Sequence, residues 1–231
     1  MPVSLKCKTL WTTGIFFSIF YRRFLFGETM KNSISTIFNE EEEEEKSKAQ
    51  GSDPLAEKFL KTRQILLSGE ITEELADKII RQLLILEADN SEPIYVYLDS
   101  PGGDVDAGFA IFDTMRFINA PVYTIGMGLV ASAAALILLS APKERRLAFP
   151  NSHYLIHQPS SGMKGVASDI EIHAAEMAKC RAKLNDLIAK ETGKPVEQVA
   201  KDTDRDYWLN AEESVSYGLV SRVIHNRSEL K

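Results

Sequence analysis

Serine hydrolysis needs a nucleophile, a base to take its proton, a carboxylate to orient that base, and N–H donors for the charge that develops on the attacked carbonyl. The chain carries a residue of each type. Ser132 stands between Ala131 and Ala133 in GMGLVASAAALIL (126–138), His157 closes HYLIH, Asp202, Asp204 and Asp206 lie in DTDRD, and Gly102-Gly103 follows IYVYLDS. Each also has a plainer reading. Ser132 is equally a helix cap or a satisfied core hydroxyl, His157 a loop histidine, the aspartates caps and ion-pair partners, and the glycine pair a tight turn with positive φ. The sharper reading of Ser132 is a nucleophile at the start of a buried helix, with backbone N–H groups aimed at an oxyanion. Phosphate binding is a poor rival. SPGGDVDAG lacks the Gly-Lys-Ser/Thr of a P-loop, and its two aspartates repel phosphate. The histidines are at 153, 157, 173 and 225, and a strand over HYLIH would hold the first two too far apart to share a metal. No metal is expected.

The elements that must position these residues alternate along the chain. RQILLSG (63–69) reads as a short strand ended by glycine. ITEELADKIIRQLLILEA opens on Thr72, a good N-cap, with Glu73 and Glu74 where the helix dipole favours acids. Leu75 stands where a capping box would place Glu or Gln, so that motif is absent. IYVYLDS (94–100) is a β-branched and aromatic strand, VDAGFAIFDTMRFI a helix, and PVYTIGMG (121–128) a strand leading into the Ser132 helix. The run 126–138, with no charge in it, reads as that buried helix. Strand–helix pairs in this order predict right-handed crossovers and a largely parallel, twisted sheet, whose functional residues gather beyond the strands' carboxyl ends. RLAF and HYLIHQP follow, then a long helix over about 166–190 stopping at Thr192-Gly193, and short helices near 196–201 and 211–217.

Composition narrows the class. A formal net charge of −6 leaves no basic footprint for nucleic acid. Two cysteines, Cys7 and Cys180, make no disulfide framework and favour a reducing compartment. Residues 1–29 differ from the rest. They hold Lys6, Lys8, Arg22 and Arg23 with no acid before Glu28, and LWTTGIFFSIFY is too short to span a bilayer. They read either as a targeting presequence or as an extension upstream of a true start at Met30. Residues 30–53 contain six consecutive glutamates, Glu40–Glu45, and are expected to be a disordered acidic spacer. The globular domain is expected over 54–231.

Six blocks, SPGGDVDAGFAIFDTMRFI, GLVASAAALIL, FPNSHYLIHQP, SDIEIHAAEM, DTDRDYWLNAEE and YGLVSRVI, resemble in order and spacing the ClpP family of ATP-dependent serine proteases over about residues 60–226. The resemblance implies an α/β, ClpP/crotonase-like fold, a repeated β-β-α spiral with a mostly parallel twisted sheet and a protruding helical handle. Carried over by position, it makes Ser132 the nucleophile, His157 the general base and Asp206 the orienting carboxylate. The backbone N–H groups of Gly103 and Ala133 become the oxyanion donors, and Arg205 with Asp204 a ring–ring contact. It further implies an endopeptidase of unfolded polypeptides in two stacked seven-membered rings, with SSGMKGVAS and the 166–190 helix as the handle. An AAA+ unfoldase would feed the rings and would alone use ATP. The protease subunit itself would have no cofactor, no nucleic-acid or membrane partner, and a cytoplasmic location, with organelle import the alternative if 1–29 is a presequence.

Two departures stand out. Ala133 and Ala134 replace the methionine–glycine pair that commonly follows the serine, which would reshape the primary substrate pocket. The family's pore-lining N-terminal segment has no clear counterpart ahead of Arg63, which bears on unfoldase docking. Two rival functions remain from other classes: a catalytically silent ring subunit, and an acyl-CoA hydratase or isomerase of the crotonase type. Turnover of a short fluorogenic peptide against an enoyl-CoA separates them.

Overall fold

A computed structural model describes residues 54–230; the expectations for residues 1–53 lie outside them. The described chain runs α1 (Pro54–Leu60), β1 (Gln64–Ser68), α2 (Glu73–Asp89), β2 (Ile94–Ser100), α3 (Val105–Phe117), β3 (Val122–Ala131), α4 (Ala133–Leu138), β4 (Arg146–Ala148), β5 (His153–Ile156), α5 (Ala167–Thr192), α6 (Val196–Asp202), β6 (Tyr207–Asn210), α7 (Ala211–Tyr217) and β7 (Arg222–Val223).

Strands β1-β2-β3-β4-β7 form a parallel ladder in that order. β3 forks. Its first half pairs with β4 (Thr124↔Arg146) and its second with β5 (Leu129↔His153), while β6 joins β5 antiparallel. In β2 the side chains alternate: Ile94, Val96 and Leu98 are buried, with Tyr95 and Tyr97 half-buried between them. The first set belongs to the main core, with Ala76, Ile79, Leu83 and Leu86 of α2 and Ile111, Phe112 and Met115 of α3. Tyr95 and Tyr97 belong to a smaller cluster with Ile125, Leu147 and Ile224. The helical spacing of the α2 set and the two-residue spacing of β2 are what the core requires of each element.

Thr72 caps α2 as expected, its hydroxyl accepting the Leu75 N–H at 3.2 Å. The long helix extends to Thr192 and ends on Gly193 at φ +76°. One expectation fails. The run 126–138 is not one helix: β3 continues to Ala131, and only Ala133–Leu138 is helical. Pairing with β2 and β5 on either side supplies the backbone hydrogen bonds that outweigh the helix propensity of the small residues. YWLN is strand β6, too short to show its alternation in the sequence.

The β2–β3 register shifts between Leu98 and Ser100, where Leu98 faces Gly126 but Ser100 faces Val130. Gly128, at φ +54°, forms this bulge, and the Asp99 carboxylate fills it, accepting the Leu129 N–H at 3.0 Å. A Cβ on Gly128 would lie 2.5 Å from Asp99 Oδ1. Gly128→Ala should therefore lower stability by about 2–4 kcal/mol in denaturant unfolding, summing the left-handed backbone penalty and the freed N–H. A variant as stable as the parent would show that the bulge tolerates a side chain.

Candidate active site

Sheet register alone brings three distant residues together. β5 and β6 pair Ile156 with Tyr207, so the next position on one strand and the preceding one on the other, His157 and Asp206, face each other. β3 and β5 pair Ala131 with Leu155, and the Ser132 N–H donates to Leu155 O at 2.9 Å. Gln158 pins the turn: its N–H donates to Thr203 O (2.6 Å) and its amide Nε2 to Asp204 O (2.5 Å). The result is a continuous hydrogen-bonded chain. Asp206 Oδ1 lies 3.0 Å from His157 Nδ1, and His157 Nε2 lies 2.8 Å from Ser132 Oγ. An ionised carboxylate only accepts, so Nδ1 carries the proton and Nε2 is left to accept from the serine hydroxyl. His157 is 27% exposed and Asp206 62%, so the pair is open to solvent on the carboxylate side.

Of the three acids of DTDRD, two are engaged elsewhere. Asp202 accepts from Tyr217 Oη (2.9 Å) and Gln198 Nε2 (2.6 Å), and Asp204 from Arg181 Nη2 (3.0 Å). Burial, and then the Asp202 carboxylate, holds the Tyr217 phenol well above its usual range. Only Asp206 meets the histidine. Arg205 is exposed and has no hydrogen bond or ion pair among the described residues.

Ser132 itself sits at φ 55°, ψ −120°, one of two described non-glycine residues with positive φ. Such a backbone costs about 1–3 kcal/mol and persists only where its surroundings over-determine it. Here α4 is buried along its whole length, and Ser132 O accepts the Ala135 N–H at 3.0 Å. A sharp strand-to-helix turn of this kind lifts the hydroxyl out of the chain's path. Gly102, at φ +94°, packs onto that turn. A Cβ there would stand 2.7 Å from Ala131 O and from Ser132 Cβ, and 3.0 Å from Ala133 N. The glycine turn is held by Ile71, whose N–H donates to Gly102 O and whose carbonyl accepts from Asp104 N–H, both at 2.8 Å. Gly102 N–H donates to the buried Ser100 Oγ at 3.1 Å. The N–H groups of Gly103 and Ala133 are left without an acceptor among the described residues.

A small pocket opens beside Ser132 and His157. Its walls are apolar: Val105, Ala135, Leu136 and Ile156, with Leu184 and Ile188 from α5. Ala133 also borders it, but its methyl packs toward α3, 3.4 Å from where a Cβ on Gly108 would stand. Among the described residues no group of three His, Cys, Asp or Glu side chains could hold a metal ion, and no helix is long and apolar enough to cross a membrane.

The Clp protease family model matches residues 46–227. The chain belongs to the Clp protease family. It is 65% identical over 195 residues to the ATP-dependent Clp protease proteolytic subunit 2 of Treponema denticola, covering 84% of this chain and 98% of that one. It is 49% identical over 194 residues to proteolytic subunit 3 of Rhizobium etli, covering 83% and 100%. Among solved structures, a ClpP1 point mutant from Listeria monocytogenes superposes with a TM-score of 0.72 at 45% identity, over 77% of this chain and 99% of that one. The fold is thus that of the Clp proteases, with a mostly parallel sheet and seven helices among the described residues.

Several residues that shape this Clp protease site carried no signal in the sequence. Gln158 reads as a loop residue, Ile71 as part of a helix approach, and Ile188 as one more apolar position on a long helix. Only the fold shows that they hold the DTDRD turn, the glycine turn and the pocket wall. Because Gly102 rests on the Ser132 turn, Gly102→Ala should slow labelling of Ser132 by a fluorophosphonate about a hundredfold with the circular dichroism unchanged. Labelling at the parent rate would show that the two turns move independently.

Proposed function

We propose that the chain is a serine endopeptidase in which Ser132, His157 and Asp206 act as nucleophile, general base and orienting carboxylate. The observation that carries this reading is the unbroken path from Asp206 Oδ1 through the imidazole to Ser132 Oγ, at 3.0 and 2.8 Å. As Oγ attacks a peptide carbonyl, His157 Nε2 takes the hydroxyl proton and then delivers it to the leaving amine. Asp206 keeps the imidazole in the required tautomer and stabilises the imidazolium. The free N–H groups of Gly103 and Ala133 receive the oxyanion, where one such donor is typically worth about 10²–10³ in rate. The pocket beside Ser132 takes the side chain on the acyl side of the cleaved bond, and its lining selects an apolar one. The missing methionine at 133 costs the oxyanion hole nothing, since the donor is backbone. No cofactor of the chain's own enters any of these steps.

The relatives' shared name, ATP-dependent Clp protease proteolytic subunit, supports a partner that uses ATP on this chain's behalf, an AAA+ unfoldase delivering unfolded polypeptide. Assembly into two stacked heptameric rings is supported by α5. Its buried residues are Asn185, Ile188 and Thr192, all near its carboxyl end, while Ile170 and Ile172 are 46% and 64% exposed. A helix that leaves apolar side chains open and buries no residue ahead of Asn185 is suited to a second surface. Arg205, between Asp204 and Asp206 and without a hydrogen bond or ion pair among the described residues, pairs across such a contact in this reading and couples it to the triad. The protease domain is residues 54–231, and its place is the cytoplasm.

Ser132→Ala should abolish both peptide hydrolysis and fluorophosphonate labelling, and Asp206→Asn should lower kcat by about 10³–10⁴. Label retained by the alanine variant would transfer the nucleophile elsewhere. Light scattering on eluted fractions should find the peptidase only in ring-sized particles, and an active monomer would refute the assembly.

A further inference from the structure

The end of α4 is tied to the end of α5 by charged side chains that the triad does not use. The carbonyls at the carboxyl end of α4 are met in turn: Leu138 O by Thr124 Oγ1 (3.0 Å), Leu139 O by Arg116 Nη2 and Ser140 O by Arg116 Nε (3.1 Å each), and Ala141 O by Arg146 Nε (2.7 Å). Both guanidiniums then converge on Glu191, in the last turn of α5. Arg116 Nη2 lies 2.6 Å from Oε1, while Arg146 pairs with Oε2 and donates through Nη1 to the Glu191 carbonyl at 3.0 Å. Arg116 is braced by the Phe112 ring, 4.3 Å beneath it. Arg146 is 1% exposed and Glu191 12%, so solvent does not screen this pair as it would a surface one. Burial pulls the Arg146 guanidinium below its usual value, and Glu191 acts in the opposite direction.

Both helices joined here line the pocket. Ala135 and Leu136 come from α4, Leu184 and Ile188 from α5, and Glu191 lies three residues beyond Ile188. Ser132, His157 and Asp206 are set by the β3–β5–β6 pairing and have no bond to Arg116, Arg146 or Glu191. The clamp thus ties together two helices that line the pocket and makes no bond to the reacting groups.

We propose that Glu191 is a positioning residue: by gathering Arg116 and Arg146 at the joined ends of α4 and α5, it sets which side chains the apolar pocket accepts. The proposal rests on the reading above that this pocket receives the residue on the acyl side of the cleaved bond. A wall shifted by a fraction of an ångström discriminates against large side chains more than small ones, since each buried methylene is felt.

The test compares kcat/KM for two fluorogenic peptides that differ only in leucine or alanine at that residue, with active sites counted by fluorophosphonate. Glu191→Gln should shift the leucine-to-alanine ratio about tenfold, while the rate of fluorophosphonate labelling stays within about threefold of the parent. A merely structural loss lowers the folded fraction, scales both peptides alike and leaves the ratio fixed. A ratio within about twofold of the parent overturns the proposal. If Glu191→Gln does not fold, Arg116→Gln decides, because it removes one arm and spares the buried Arg146–Glu191 pair; it should shift the ratio in one direction by about threefold, and an unmoved ratio there refutes the clamp. A parent enzyme that cleaves neither peptide would instead refute the functional reading, and the proposal with it.

Discussion

The structure is organised around one unfavourable residue conformation. Ser132 occupies a backbone region that a side chain with a Cβ avoids, and nothing in its own chemistry rewards it for being there. The compensation is spread over its neighbours. α4 is buried completely, the Ser132 N–H is taken by β5, and Gly102 gives up a side chain so that a second turn can press against the first. Beneath them, the Gly128 bulge lets β3 leave β4 and meet β5 in the register that carries Ser132 toward His157. Remove any of these and the serine has a more comfortable place to go.

Much of this was legible in the sequence, for reasons that can be named. β2 and α2 announce themselves because each buries one face, and burial imposes a period of two on a strand and about 3.6 on a helix. Thr72 and Gly193 mark helix ends because those positions have special backbone demands. The run through Ser132 misleads for the converse reason. Small apolar residues suit helix and buried strand alike, and pairing partners that lie twenty or more residues away decide between them. β6 is short, and its four residues mean nothing until β5 lies beside them.

The site was legible unevenly. The residue types for acyl transfer are visible, and collinear blocks single out Ser132, His157 and Asp206. Residue types alone leave three aspartates in DTDRD to choose from. In the fold Asp202 meets Tyr217, Asp204 meets Arg181, and Asp206 meets His157. The supporting contacts of Ile71 and Gln158 are bonds to backbone atoms far along the chain, those of Glu191 are to two arginines 45 and 75 residues away, and no local pattern encodes either.

The antiparallel pairing of β5 with β6 has a consequence for the order in which the molecule comes into being. Asp206 follows His157 by 49 residues, and all of α5 and α6 lies between them. Closing so long a connection is entropically costly until the intervening helices have formed and docked. A chain in which β6 has not paired with β5 lacks the contact between Asp206 and His157. The hydrogen bond between Asp206 and His157 therefore depends on β6 docking against β5, and it reports on the completed sheet and not on either strand alone.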